Sequence, residues 1–98
     1  MVSKNTISDS LIDVLCDITD PLLMRTFLTD VMTPNEIGEI SSRLQAAIML
    51  KEGAKYTSII EATGLSSRTV ARISEWLKKD TGGYKTAIAT IRNHHTHL

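Results

Sequence analysis

One cysteine, four aromatic residues, two prolines and no long apolar run set the limits of this 98-residue chain, and each scarcity removes a class of protein. A lone Cys16 excludes an internal disulfide and a cysteine-rich metal site. Its neighbours Leu11, Ile12, Val14, Leu15 and Ile18 predict a buried, inert thiol. With so few aromatics, the core must be built from aliphatic side chains. Scarce proline and glycine, and no useful run of period-two alternation, leave helices as the expected structure. The opening segment MVSKNTISDS lacks the apolar stretch of a signal peptide or membrane anchor, so the expectation is a soluble, cytoplasmic, nucleoid-associated protein. Paired carboxylates in a pocket, a nucleophile with its base and spaced metal ligands are missing too, so neither an enzyme, a cofactor nor a bound metal is expected. Asp9, Asp13 and Asp17 share one face at i, i+4 spacing, which a solvated acidic face explains. His94, His95 and His97 near the C-terminus have no orienting partners in view and read as incidental.

What is present is a window from Thr57 to Leu77, TSIIEATGLSSRTVARISEWL, with the pattern of a helix-turn-helix. Ile59, Ile60, Leu65, Val70 and Ile73 fall where two short helices need apolar contacts across a tight turn. Gly64 sits at the corner, where positive φ lets the first helix end. Ser66 follows as N-cap of the second helix. The outward positions of that helix are Ser67, Arg68, Thr69 and Arg72, side chains able to reach base edges and phosphates in a major groove. Double-stranded DNA is therefore the expected partner. The bland alternative is an αα-hairpin with a solvated polar face.

A net charge of zero conceals a strong asymmetry. Residues 1–41 carry two basic and seven acidic side chains, whereas residues 42–98 carry nine basic and four acidic ones. Positive charge thus gathers around the helix-turn-helix, as a footprint on phosphate requires.

A single domain is expected at this length, small enough to gain stability by pairing with a second copy. Residues 1–6 form a mobile arm. Ser8 or Asp9 caps a helix to about residue 18, with Leu11, Ile12, Leu15 and Ile18 in one stripe. Asp20-Pro21 opens a second helix to about Met32, and Leu22, Leu23, Met24, Phe27, Leu28, Val31 and Met32 cover most of its circumference. Such a helix needs burial from outside a monomer, so residues 8–32 read as dimerisation helices. Thr33-Pro34-Asn35-Glu36 is a capping box that starts a long helix over 34–52, with Ile37, Ile40, Leu44, Ala47, Ile48 and Met49 inward and Gly53 at its end. The helix-turn-helix occupies 56–78, and Asp80-Thr81-Gly82-Gly83 breaks the chain. A last helix over 84–93 turns Tyr84, Ala87, Ile88 and Ile91 to one side.

The segment from Phe27 to Tyr84 resembles the tryptophan repressor superfamily, in particular its YerC/YecD-type branch. The resemblance rests on MTPNEI at the start of the long helix, Arg43 within SSRLQAAIMLKEG, the helix-turn-helix itself and the closing TGGY. It implies a six-helix, all-α fold with a helix-turn-helix, and a homodimer intertwined through its N-terminal helices. It places Ser66, Ser67, Arg68, Thr69 and Arg72 at or near the groove. It also places Ser42 and Arg43, with Lys55, Tyr56 and Thr57, at backbone phosphates. Arg43 and Arg72 match two arginines that sandwich the corepressor indole in the family's name-giving member. Where that repressor has glycine and serine, Ile73 and Trp76 stand here. A branched chain and an indole should fill the cavity and remove its polar handle. Tryptophan is therefore not expected as corepressor, and no other small-molecule effector can be named. Arg43 and Arg72 then default to phosphate contacts or to stacking on Trp76.

The reading these features favour is a homodimeric, sequence-specific DNA-binding transcriptional regulator, in the repressor sense. A replication-type DNA-binding module and a helical protein-interaction adaptor are the alternatives.

Overall fold

The computed structural model describes residues 6–79 and 82–95, with side chains as far as residue 91. Six helices span those residues, and no strand occurs among them. The expected arm lies, apart from Thr6, outside the described residues, as do Asp80, Thr81, His97 and the side chains of His94 and His95. No helix among the described residues is long and apolar enough to cross a membrane.

The chain divides into two compact units, residues 1–37 and 38–98. In the first, α1 (Asp9–Asp17) begins where the Ser8 side chain accepts a hydrogen bond from the Leu11 N–H at 3.1 Å. Asp20 does the same for α2 (Pro21–Val31), its Oδ1 accepting from the Leu22 N–H at 2.9 Å. The capping box forms as the sequence implies: the Thr33 N–H donates to Glu36 Oε1 at 2.8 Å, and the Glu36 N–H donates to Thr33 Oγ1 at 3.1 Å. These two bonds start α3 (Pro34–Lys51), and the Thr33 N–H, with the Thr33 side chain adding to it, holds the Glu36 carboxyl below the usual carboxylate range. Yet neither α1 nor α2 buries a single residue. Cys16 is exposed rather than buried. It lies on the same short helix as Leu11 and Leu15, and α1 holds no buried residue among the described ones.

The core belongs to the second unit. Ala46 and Ala47 of α3, Ile59 of α4 (Tyr56–Thr63), Val70 and Ile73 of α5 (Ser67–Leu77) and Ile88 of α6 (Gly83–His95) form one buried cluster. Two alanines on α3 leave room for the branched side chains of the two short helices to pack close. Ile60, Leu65, Leu77 and Tyr84 close over the cluster. α3 ends at Gly53, where the Ala54 N–H reaches back to the Met49 carbonyl at 2.9 Å. Ile40, expected inward, is 57% exposed, because the core draws on the second half of α3 and Ile40 lies in its first.

Candidate nucleic-acid interface

The helix-turn-helix is built by local bonds that the sequence specifies. Gly64 adopts φ 73° after α4, and its N–H donates to the Ile60 carbonyl at 2.8 Å. Any other common residue there would pay for a left-handed backbone. Thr63 Oγ1 donates to the Ile59 carbonyl and accepts from the Leu65 N–H, which stiffens the corner from the side. Ser66 then caps α5: its Oγ accepts from the Thr69 N–H at 3.1 Å and donates to Thr69 Oγ1 at 3.0 Å. α4 packs against α5, and α5 against α6. Ile59, Val70 and Ile73 lock this arrangement from within.

That packing decides what α5 shows to solvent. Ser67 and Arg68 are exposed in its first turn, Arg72 is exposed one turn on, and Thr69 is half-buried beside its cap. Lys55, Tyr56 and Thr57 are exposed at the start of α4. Lys55 stands at the N-cap position and makes no side-chain capping bond, so the first-turn N–H groups of α4 have no capping side chain among the described residues. Unpaired N–H groups beside a lysine suit an anionic oxygen. On α3, Ser42 and Arg43 are half-buried. Arg43 is engaged: its Nε and Nη2 both donate to Glu39 Oε1, at 3.1 and 3.0 Å. Glu39 was not singled out from the sequence, although its i, i+4 spacing ahead of an arginine is a readable signal.

Of the four residues matched to a corepressor site, Arg43 and Trp76 line one space and the other two lie elsewhere. Ile73 is fully buried in the core, and Arg72 is exposed on α5. Trp76 stacks on Tyr84, with ring centroids 6.0 Å apart and planes at 21°, rather than on an arginine. A space of about 620 Å³ remains, lined by Ile40, Leu44 and Arg43 of α3, Trp76 and Lys79, and Tyr84 and Ala87 of α6. Gly82 fits there because it lies against the backbone: a Cβ would stand 2.9 Å from the Trp76 carbonyl oxygen.

Comparison with known proteins bears on the family and the fold. The sequence profile of the Trp repressor protein family matches residues 7–92. The "Uncharacterized protein YerC" of Bacillus subtilis (strain 168) is 31% identical over 88 residues, covering 90% of this chain and 85% of the relative. The crystal structure of a TrpR-like protein from Eubacterium eligens is similar with a TM-score of 0.78 and 31% identity, covering 85% of this chain and 86% of that one. A crystal structure from Staphylococcus aureus gives the same TM-score at 30% identity, covering 86% and 84% respectively.

Proposed function

This chain belongs to the Trp repressor family, and on that premise we propose that it is a homodimeric, sequence-specific DNA-binding transcriptional regulator of the repressor type. It is not an enzyme, and its place is on the nucleoid. The observation that carries the reading is the rigid presentation of α5. The helix is capped by Ser66, anchored by Val70 and Ile73, and exposes Arg68 and Arg72, which have no carboxylate partner among the described residues.

Entry of α5 into a major groove would bring Arg68, in its first turn, to base edges, where a guanidinium can bond guanine O6 and N7 together. Ser67 and Thr69 lie beside it. Arg72, one turn along, would reach the groove wall. Lys55 and the open N-terminus of α4, with Tyr56 and Thr57, would hold one phosphate, and Ser42 with Arg43 another. Half-sites are expected about one helical turn apart, because two such heads related by a twofold axis must read the same face of the duplex. The unburied apolar surface of α1 and α2, with Leu22 70% and Leu23 59% exposed, supports pairing with a second copy.

Tryptophan is not the corepressor in this reading, since Ile73 and Trp76 stand where the repressor has glycine and serine. Selection of bound fragments from a random duplex pool tests the function directly. A recurrent, twofold-symmetric sequence is expected; recovery of the unselected pool would end the sequence-specific reading.

A further inference from the structure

A DNA phosphate can dock on the Nε/Nη2 edge of a guanidinium, and on Arg43 of α3 that edge is already filled. Glu39 Oε1 accepts from both Nε and Nη2 of Arg43, the paired donors that a phosphate oxygen would otherwise take. The pair lies at the surface, with the Arg43 side chain 38% and the Glu39 side chain 54% exposed, so an incoming anion can compete for it. The Glu39 carboxylate serves no cap; that task at the start of α3 belongs to Glu36. By contrast, Lys55, Arg68 and Arg72 have no carboxylate partner among the described residues. The cations of the proposed interface therefore fall into two kinds, open ones and one held by an internal anion.

We propose that Glu39 is a resident competitor for DNA phosphate, which keeps Arg43 out of loose, sequence-independent complexes and yields it only when the other contacts fix a phosphate at close range. The proposal rests on the DNA-binding reading above and adds a control on it. Its physical basis is a difference in timing. A mobile complex on random duplex gains too little from Arg43 to displace a carboxylate tethered one helical turn away. A docked complex presents its phosphate continuously, and the exchange of one anion for another costs little. Glu39 is thus a positioning residue that widens the gap between specific and nonspecific affinity.

The test measures binding to a scrambled duplex across a salt series for the parent, Glu39→Gln, the double variant Glu39→Gln/Arg43→Gln, and Asp13→Asn as a control that removes one negative charge from α1. Glu39→Gln should bind the scrambled duplex about two- to fivefold more tightly at moderate salt. Its plot of log affinity against log salt should steepen by about 0.9 per subunit, one further phosphate contact. The double variant should return to the parent slope, and Asp13→Asn should not depart from it. The proposal is overturned if Glu39→Gln keeps the parent slope, or if the double variant retains the gain, because Glu39 would then act by bulk charge alone. A parent that binds no duplex at any salt removes the DNA-binding reading itself, and this proposal with it. Melting temperatures near the parent value confirm that each variant is folded.

Discussion

The first unit and the second are about equally easy to read as helices, yet only one of them buries anything. α1 and α2 carry apolar stripes and capped ends, and every large side chain on them stays at least partly exposed. α4 and α5 are short helices too, yet their Ile59, Val70 and Ile73 are fully buried. The difference is in what each stripe meets. In residues 38–98 four helices turn their stripes toward one point, whereas residues 1–37 supply two helices and one turn of a third, too little to enclose a core. Amphipathic patterning thus announces that a face needs cover, not that the same chain provides it.

Several measurements break or sharpen that contrast. The largest effect is expected in the self-sufficient half. Ile59→Ala should cost about 2–5 kcal/mol of stability, because it empties the centre of the cluster. A cost under about 0.5 kcal/mol, the range of an ordinary surface site, would show that the cluster is not the core. For the other half, sedimentation at micromolar concentration should show a species of twice the chain mass, and the melting temperature should rise with concentration. Leu22→Ser should shift that equilibrium toward single chains. A folded parent monomer at micromolar concentration would mean that α1 and α2 need no partner.

The next effect belongs to the interface. Arg68→Ala should lose about 1–3 kcal/mol on the preferred duplex and relax base preference at one position per half-site. Lys55→Ala should weaken all duplexes alike and flatten the salt slope by about one unit. Equal loss on preferred and scrambled duplexes for Arg68→Ala would mean that α5 positions but does not read.

Smaller still is the effect of the capping box. Glu36 titrates below its ordinary value in the folded chain because it accepts the Thr33 N–H, with the Thr33 side chain adding to the effect. Its contribution is therefore complete above the carboxylate's unfolded value and fades as pH falls through the lowered folded one. Glu36→Gln should remove that part of the acid dependence, seen as a shallower loss of melting temperature below about pH 4.5. An unchanged acid limb would mean that other carboxylates set it. Last comes an expected zero: L-tryptophan titrated into the protein should give no saturable heat and no rise in melting temperature. Micromolar binding would mean that the space beside Trp76 accepts the amino acid without a second arginine wall.

Most helix limits were legible because they depend on residues within four positions of each other. Ser8, Asp20, Thr33 and Ser66 each satisfy a backbone group nearby and mark where a helix begins, and Gly64 marks where α4 ends. α6 was less clear: it starts at Gly83, one residue before the expected Tyr84, and runs two residues past Asn93. The candidate site was legible to the same local depth. The turn, the cap and the outward arginines follow from spacing, and the Glu39–Arg43 pair was within reach of the same argument. The stacking of Trp76 on Tyr84, the exposure of Ile40 and the space between α3 and α6 were not. They depend on how elements separated by a chain break or by many residues settle against one another, which no short window encodes.

The stack between Trp76 and Tyr84 has an optical consequence. Trp76 is the sole tryptophan of the chain, so indole emission comes from one place, the join between α5 and α6. At 6.0 Å from Tyr84, the indole drains that tyrosine's excited state, and the stacked rings couple into a near-ultraviolet dichroic band. Separation of the two helices would return tyrosine light and erase the band, while changes at α1 or α2 that leave the join intact would do neither. The protein thus carries its own spectroscopic probe, placed at the back of the helix that would lie in the groove.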